Sequence, residues 1–267
     1  MHHQIDSLAY TNRLRYLPPE SKVGFAIALF GLSYATPIPG QLAIAAWIAI
    51  WTVGYARIPV ATYLQLLAIP LGFWLASLPA LAISGVWLHD LATVQADVWQ
   101  GISVGKLYLY LSDRGLQQGG ELLVRALSLT CCLYFILLTV PFVEVLRILR
   151  RLGCPPFIAE LLALMYRFIF VLAEMATDLL VAQQSRLGYR TWRVRMRSLG
   201  LVASQLLRRT LEHYREVSLG LKSRGFTGDL RVWYSRRYQS NPRYTLEAIG
   251  GYSILLVYTV GHYVDGI

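Results

Sequence analysis

Two long stretches of the sequence contain no Asp, Glu, Lys or Arg: residues 23–56 and residues 58–89, separated only by Arg57. A helix that crosses a bilayer needs about 20 apolar residues, so the first stretch is too long for one crossing. The Pro37–Gly40 segment divides it, because proline ends a helix and glycine permits a reversal. The same reasoning along the chain predicts five transmembrane helices, at residues 19–36, 41–56, 61–88, 118–140 and 248–264. We therefore expect an all-α, polytopic helical membrane protein.

The composition agrees with a chain that lies in a bilayer. Of 267 residues, 55% are hydrophobic and 15% are charged, whereas soluble domains carry about 25% charged residues. These figures exclude an ordinary soluble fold and a disordered chain, and the three cysteines lack the spacing of a disulfide framework or a zinc site. Lys22 and Arg57, which flank the first two spans, are expected at the lipid headgroups. The polar segment 89–117 is expected to be an extramembrane loop.

The positive charge is concentrated in one segment. Residues 141–243 hold 18 Lys and Arg against 7 Asp and Glu, whereas the rest of the chain holds 7 against 8. Because translocating positive residues is costly, such a segment stays in the cytoplasm. We predict an N-terminal membrane part with four spans (1–140), a cytoplasmic helical domain (141–243) and a C-terminal transmembrane helix (244–267). This arrangement places the N-terminus in the cytoplasm.

Three helices are predicted in the cytoplasmic domain, at residues 142–152, 156–187 and 199–223. The second helix carries four charges before Arg186 that fall within about 40° of one another at 100° per residue. These charges are Glu160, Arg167, Glu174 and Asp178. The helix is apolar elsewhere, so other helices or the membrane interface must cover it. A sixth transmembrane span is the competing interpretation of this helix, although charges at this spacing disfavour it.

The third predicted helix has an apolar seam whose members recur every three or four residues. The seam consists of Ala203, Leu207, Leu211, Tyr214, Ser218 and Leu221. We expect it to pack on a neighbouring helix, with the charged residues facing outward. The two long helices are joined by RLGYRTWRVRMR, which holds five arginines in twelve residues and is expected to contact anionic membrane lipids. A nucleic acid is the alternative ligand, but no motif that reads bases accompanies the arginines, so no nucleic-acid partner is predicted.

Both long helices end in a similar tripeptide. The first ends in Ser185-Arg186-Leu187 and the second in Ser223-Arg224-Gly225. Arginine is favoured at a helix C-terminus by the helix dipole, and glycine is the usual terminator, so each tripeptide alone is explained as a helix end. Two such ends on adjacent antiparallel helices would place two arginines on one cytoplasmic face. The planar guanidinium suits docking to carboxylates in a partly buried interface.

The order of the spans and both tripeptides resemble the T component (EcfT/CbiQ) of energy-coupling factor (ECF) transporters, a branch of the ABC transporters. The opening MHHQIDSLAYTNRLRYLPPESKV and the later LKSRGFTGDL are most similar to the cobalt branch, CbiQ. The resemblance covers nearly the whole chain. The family pattern is close to Ala-Arg-Gly at both helix ends. Here serine replaces alanine in both tripeptides and Leu187 replaces glycine in the first, whereas Arg186 and Arg224 are kept.

The resemblance implies a transmembrane scaffold rather than an enzyme or a pore. Family members bind two cytoplasmic ATPases (CbiO-like) through the tripeptides and hold a separate substrate-binding membrane subunit (CbiM, often with CbiN). Arg186 would dock in one ATPase and Arg224 in the other, and ATP-driven closure would tilt the substrate subunit. ATP and Mg would be used by the partner ATPases, and no cofactor by this chain. The expected cargo is cobalt for cobalamin biosynthesis, with a nickel or vitamin transporter as the alternative.

An intramembrane enzyme is the second class of function. It would need paired carboxylates, a Ser/His pair or metal ligands at membrane depth, and the interiors of the first three predicted spans offer no charged residue. His2 and His3 are too few for a convincing metal site, so none is assigned. GISVGK at residues 101–106 lacks the first glycine and the final Ser or Thr of a phosphate-binding loop. ATP hydrolysis must therefore come from another chain.

Overall fold

The computed structural model describes residues 2–87, 98–104, 107–186, 188–225, 238–239 and 241–265. The chain divides into two compact units. The first unit comprises Met1–Glu144 and Arg236–Ile267, and the second, which we call the insert, comprises Val145–Ser235. The insert is thus continuous in sequence and interrupts the first unit.

The elements follow one another in the order α1, α2, α3, α4, β1, β2, β3, α5, α6, α7, α8 and α9. In the first unit they are α1 (His2–Thr11), α2 (Pro19–Ala35), α3 (Ile38–Ala49), α4 (Val60–Ala82), β1 (Ile83–Trp87), β2 (Val98–Val104), β3 (Leu107–Ser112), α5 (Asp113–Thr139) and α9 (Pro242–Asp265). Helix α6 (Phe142–Arg151) begins at the end of the first unit, and α7 (Pro156–Ser185) and α8 (Trp192–Ser223) form the insert. A 3₁₀ turn (Arg13–Tyr16) follows α1, and a π-helical segment (Ile50–Tyr55) continues α3.

Helix α5 is the centre of the first unit. It contacts α1, α2, α3 and α4, and α9 packs against α2 and α3. The large apolar side chains of this unit that are 0% exposed come from three of these helices, α2, α3 and α5. They are Leu29, Ile44, Ile48, Phe135 and Leu138. The prediction of a helical membrane protein is confirmed, and one central helix organises the helices around it.

The break predicted at Pro37–Gly40 is confirmed. Helix α2 ends at Ala35, and α3 begins at Ile38 with Pro37 as its N-cap. Gln41 Nε2 donates to the carbonyl oxygen of Thr36 at 2.9 Å, so the junction is held by a side chain of the second helix. Proline at the start of a helix needs no hydrogen-bond partner for its nitrogen, and this explains why α3 can begin inside the predicted turn.

The segment after α4 is not the simple loop that we expected. Helix α4 ends at Ala82 rather than at residue 88, and the three strands form an antiparallel sheet in the order β1-β3-β2. In the register of this sheet Ile83 is opposite Leu111, and Val104 is opposite Leu107. Helix α5 then starts at Asp113, where the Ser112 side chain accepts a hydrogen bond from the amide of Gly115 at 3.0 Å. Over residues 98–104 and 107–117 the predicted loop is instead strand and the start of α5, so the prediction was wrong there as a description of the backbone. The rest of the predicted loop lies outside the described residues.

Four of the described helical segments are long and apolar enough to cross a membrane: Ile38–Tyr55, Val60–Ala82, Asp113–Thr139 and Pro156–Ser185. The first three correspond to predicted spans. Helix α2, with 17 residues, and α9 are the other two predicted spans and lie outside this set. The fourth is α7, for which a cytoplasmic position was predicted and a sixth span was the competing interpretation. Its length and composition allow a crossing.

The insert is a hairpin of two long helices. The rings of Phe168 on α7 and His213 on α8 meet edge to face at 5.9 Å. Close to the turn, Ser198 Oγ on α8 donates to the carbonyl oxygen of Gly188 at 2.9 Å. Because the chain reverses between Ser185 and Trp192, these contacts mean that α8 runs back along α7.

The face of α8 that packs on α7 differs from the predicted seam. Leu207, Leu211 and Tyr214 are 63%, 52% and 61% exposed, whereas Ser198 and Val202 are buried. The buried positions are offset by one residue from the seam, because the contact with α7 selects a neighbouring stripe of the helix. The prediction that the seam packs on a neighbouring helix was therefore wrong for its first four members, which are exposed, whereas Ser218 and Leu221 are half-buried.

Candidate functional site

The two arginines of the tripeptides occupy equivalent positions in the backbone. Arg186 is the C-cap of α7, with φ −95° and ψ 17°, and Arg224 is the C-cap of α8, with φ −92° and ψ 11°. The amide of Arg186 donates to Gln183 at 3.2 Å, and that of Arg224 donates to Leu221 at 3.1 Å. Each bond satisfies a carbonyl of the last turn, and the carbonyl of Gln183 also accepts from the amide of Gly188 at 3.0 Å. The similarity of the two tripeptides in sequence is thus a similarity in local structure.

The serines of the tripeptides bond within their own helices. Ser185 Oγ donates to the carbonyl oxygen of Val181, and Ser223 Oγ donates to that of Gly220, both at 3.0 Å. Gly225 adopts φ +71°, a left-handed conformation that ends α8 and favours glycine. Leu187, which replaces glycine in the first tripeptide, lies outside the described residues.

Both guanidinium groups belong to exposed residues. Among the residues that the structure describes, neither Arg186 nor Arg224 forms an ion pair with a carboxylate. The negative end of the helix dipole favours a cation at these positions, and a partner protein can reach both groups. An exposed guanidinium held at a helix end is suited to bind a carboxylate with two parallel hydrogen bonds.

The two arginines lie at opposite ends of α8. This helix has 32 residues and is therefore about 48 Å long, whereas Arg186 is separated from its first turn by only a short connection. Arg186 and Arg224 are consequently at least about 20 Å apart. The two side chains cannot share one docking pocket, so the tripeptides form two separate candidate sites.

The connection and the start of α8 carry the expected cluster of basic residues. All the arginines of this stretch that the structure describes are exposed: Arg186, Arg190, Arg193, Arg195 and Arg197. Trp192 is exposed as well. Exposed arginines beside an exposed aromatic ring are typical of segments that contact anionic lipid surfaces.

One functional feature was missed by the sequence analysis. Lys22, which we expected at the headgroups, is buried, and its Nζ donates to the carbonyl oxygen of Thr139 at 2.9 Å. That expectation was wrong because α2 turns this side chain toward the end of α5. The sequence offered no periodic signal for the contact, since the partners of Lys22 are more than a hundred residues away.

In the described part of the chain, His, Cys, Asp and Glu do not form a group of three that could hold a metal ion.

The long apolar helices define the class of protein, a multi-helix membrane protein. The profile of the CbiQ family, described as cobalt transport protein, matches residues 11–234. The chain belongs to this family.

Individual relatives agree with this assignment. The cobalt transport protein CbiQ of Rhodobacter capsulatus is 31% identical over 87% of this chain and 88% of its own length. The CbiQ of Salmonella typhimurium is 26% identical over 85% of this chain and 99% of its own length. A putative fused cobalt transport protein CbiMQ of Methanocorpusculum labreanum is 27% identical over 85% of this chain and 37% of its own length.

Proposed function

We propose that this chain is the transmembrane scaffold of an ECF-type importer, which transmits the motion of two ATPases to a separate substrate-binding membrane subunit. The observation that carries the proposal is the pair of exposed arginine C-caps with matching geometry at the two ends of α8. Two separate, equivalent docking sites suit two copies of one partner. Membership of a family described as cobalt transport protein supports a role in transport.

In this mechanism Arg186 docks in one CbiO-like ATPase and Arg224 in the other. Each guanidinium meets a carboxylate of its ATPase. The two ATPases bind ATP with Mg and close on one another during the cycle. Their approach moves the two ends of the α7–α8 hairpin, and the hairpin passes this motion to the rest of the chain. No reacting group of this chain takes part, so its role is mechanical and not catalytic.

The proposed substrate-binding partner is a CbiM-like membrane subunit, possessing the cargo site and often accompanied by CbiN. The fused CbiMQ relative supports it, because the name of that protein joins both components in one chain and this sequence covers 37% of its length. The proposed cargo is the cobalt ion, following the description of the family. An uptake assay with cobalt, nickel and vitamins in turn distinguishes the proposed cobalt transporter from the nickel and vitamin alternatives. We place the complex in the bacterial plasma (inner) membrane, with the N-terminus and the insert in the cytoplasm.

The proposal is tested by replacing both docking residues, Arg186→Ala with Arg224→Ala. Truncating one partner of a buried charge pair costs about 2–5 kcal/mol of binding, partly because the other charge is stranded. We expect the double variant to lose co-purification with the ATPases, or to retain it while ATP hydrolysis no longer drives cobalt uptake in vesicles. The matched control is Arg209→Ala with Arg215→Ala, which removes the same charge from exposed positions in the middle of α8. Full uptake by the Arg186/Arg224 variant would show that the proposed docking is wrong.

A further inference from the structure

A buried polar cluster lies at the C-terminal end of α5. Lys22 Nζ, on α2, donates to the carbonyl oxygen of Thr139 at 2.9 Å and lies 3.8 Å from Glu144 Oε2. The two charged side chains are only 2% and 6% exposed. The positive ammonium therefore lies at the negative end of the α5 dipole, and Glu144 lies in the first turn of α6, where a negative charge is favoured.

A third member of the cluster comes from the part of the first unit that follows the insert. Tyr238 Oη donates to Glu144 Oε1 at 3.2 Å. The next residue, Gln239, donates its amide to the carbonyl oxygen of Tyr16 at 3.0 Å, so the backbone there is also tied to the 3₁₀ turn. Residues near the start and the end of the chain are thus joined at one place in the first unit.

The cluster contains residues that lie next to both boundaries of the insert in the sequence. Glu144 is the last residue of the first unit before the insert, and Tyr238 follows the return of the chain to that unit at residue 236. Both covalent connections of the insert are consequently bound, through Glu144, to the same ammonium group and the same helix end. Helix α5 in turn contacts four other helices of the first unit.

We infer that Lys22, Glu144 and Tyr238 form a latch that fixes both connections of the insert to the end of α5, so that motion of the insert is delivered to the helices of the first unit. The functional part of this inference rests on the proposed scaffold role. A buried ion pair is weak evidence for added stability, because the cost of desolvation offsets the attraction. It does favour one geometry, because breaking the pair would separate two opposite charges that are both buried. These are positioning residues, and they touch neither nucleotide nor cargo.

The latch itself is tested by Tyr238→Phe, which removes one hydroxyl and keeps the ring. The matched control is Tyr134→Phe, because Tyr134 Oη donates to the carbonyl oxygen of Leu66 at 3.1 Å within the same unit. Hydrogen exchange is measured on the full-length chain in lipid nanodiscs, at the amides of Glu144 and Gln239. We expect Tyr238→Phe to speed exchange at both amides by about tenfold, and Tyr134→Phe to leave both unchanged. Unchanged exchange in Tyr238→Phe would overturn the latch.

The delivery of motion is tested in the assembled transporter with Tyr238→Phe and with Glu144→Gln. Cobalt uptake per ATP hydrolysed is expected to fall by about fivefold in both variants, while assembly and the rate of ATP hydrolysis stay near the wild-type values. Faster exchange with an unchanged uptake ratio would overturn the functional part of the inference. If Glu144→Gln fails to assemble, Tyr238→Phe alone decides. A wild-type chain that binds no ATPase would instead overturn the proposed function, and the exchange measurement would still decide whether the latch exists.

Discussion

At the scale of single residues, the helices of the first unit are joined by polar side chains inside an apolar core. Ser33 Oγ on α2 donates to Ser128 Oγ on α5 at 2.8 Å, and both serines are fully buried. Thr36 and Thr259 make an equivalent contact at 2.9 Å between the end of α2 and α9. Small hydroxyl side chains let helices approach closely and satisfy one another where water is absent.

The serine pair provides a test of this contribution. Ser33→Ala or Ser128→Ala leaves one buried hydroxyl without its partner, and we expect each to lower the free energy of unfolding by about 1 kcal/mol. The double substitution removes both groups and is expected to cost less than the sum of the two. The measurement is reversible denaturation in detergent micelles, analysed as a double-mutant cycle. Strictly additive costs would show that the hydroxyls do not act as a pair.

At the scale of elements, the packing of α9 depends on one of two adjacent glycines. A Cβ atom added at Gly251 would lie 2.6 Å from Cζ2 of Trp47 on α3, whereas one added at Gly250 would meet nothing within 4 Å. Gly251 is therefore required for the close approach of the two helices. Gly250 carries no such requirement and only lowers the helical propensity of α9.

These two positions make a matched pair of variants. Gly251→Ala is expected to destabilise the chain by about 1–3 kcal/mol, because the methyl group forces α9 away from the indole ring. Gly250→Ala is expected to leave stability unchanged or raise it by up to about 1 kcal/mol. Thermal unfolding followed by tryptophan fluorescence in detergent compares the two. Equal effects of both substitutions would mean that Trp47 and Gly251 are not in contact.

The elements also show which patterns in the sequence were read correctly. The charge-free stretches and the Pro37–Gly40 break predicted α2, α3 and α4, because the bilayer leaves few alternatives to a helix. The strand β3 was missed although Leu107–Leu111 alternates leucine and tyrosine, a pattern of period two that a search for hydrophobic spans does not detect. The seam on α8 was found, but its burial was assigned wrongly, since a periodic stripe does not reveal which partner covers it.

At the scale of the whole molecule, the position of α7 relative to the membrane decides whether the insert is cytoplasmic. The helix has 30 residues and is about 45 Å long, more than the hydrocarbon core of about 30 Å. Its ends carry convenient probes, because Cys154 lies just before it and Ser185 is its last residue. If the insert is cytoplasmic, as we propose, both ends are on one side of the membrane.

We therefore expect Cys154, and a cysteine introduced as Ser185→Cys in a Cys154→Ser background, to react with a membrane-impermeant maleimide only from the cytoplasmic side. The other two cysteines, Cys131 and Cys132, are buried and should contribute little background. Labelling is compared between intact spheroplasts and inverted vesicles. Reaction of the two positions from opposite sides would make α7 a transmembrane helix, and the proposed cytoplasmic position of the insert would be wrong.

The sequence by itself determined the class of this protein. Long charge-free stretches require helices in a bilayer, clustered arginines mark one segment as basic, and the paired tripeptides identify two helix ends. These are local properties, and each can be read from neighbouring residues. Only the tertiary structure decided that Arg186 and Arg224 lie at opposite ends of α8, and that Lys22 is buried against Thr139 and Glu144. The contacts of Lys22 join residues more than a hundred positions apart, and their energy depends on how the helices pack rather than on any local pattern.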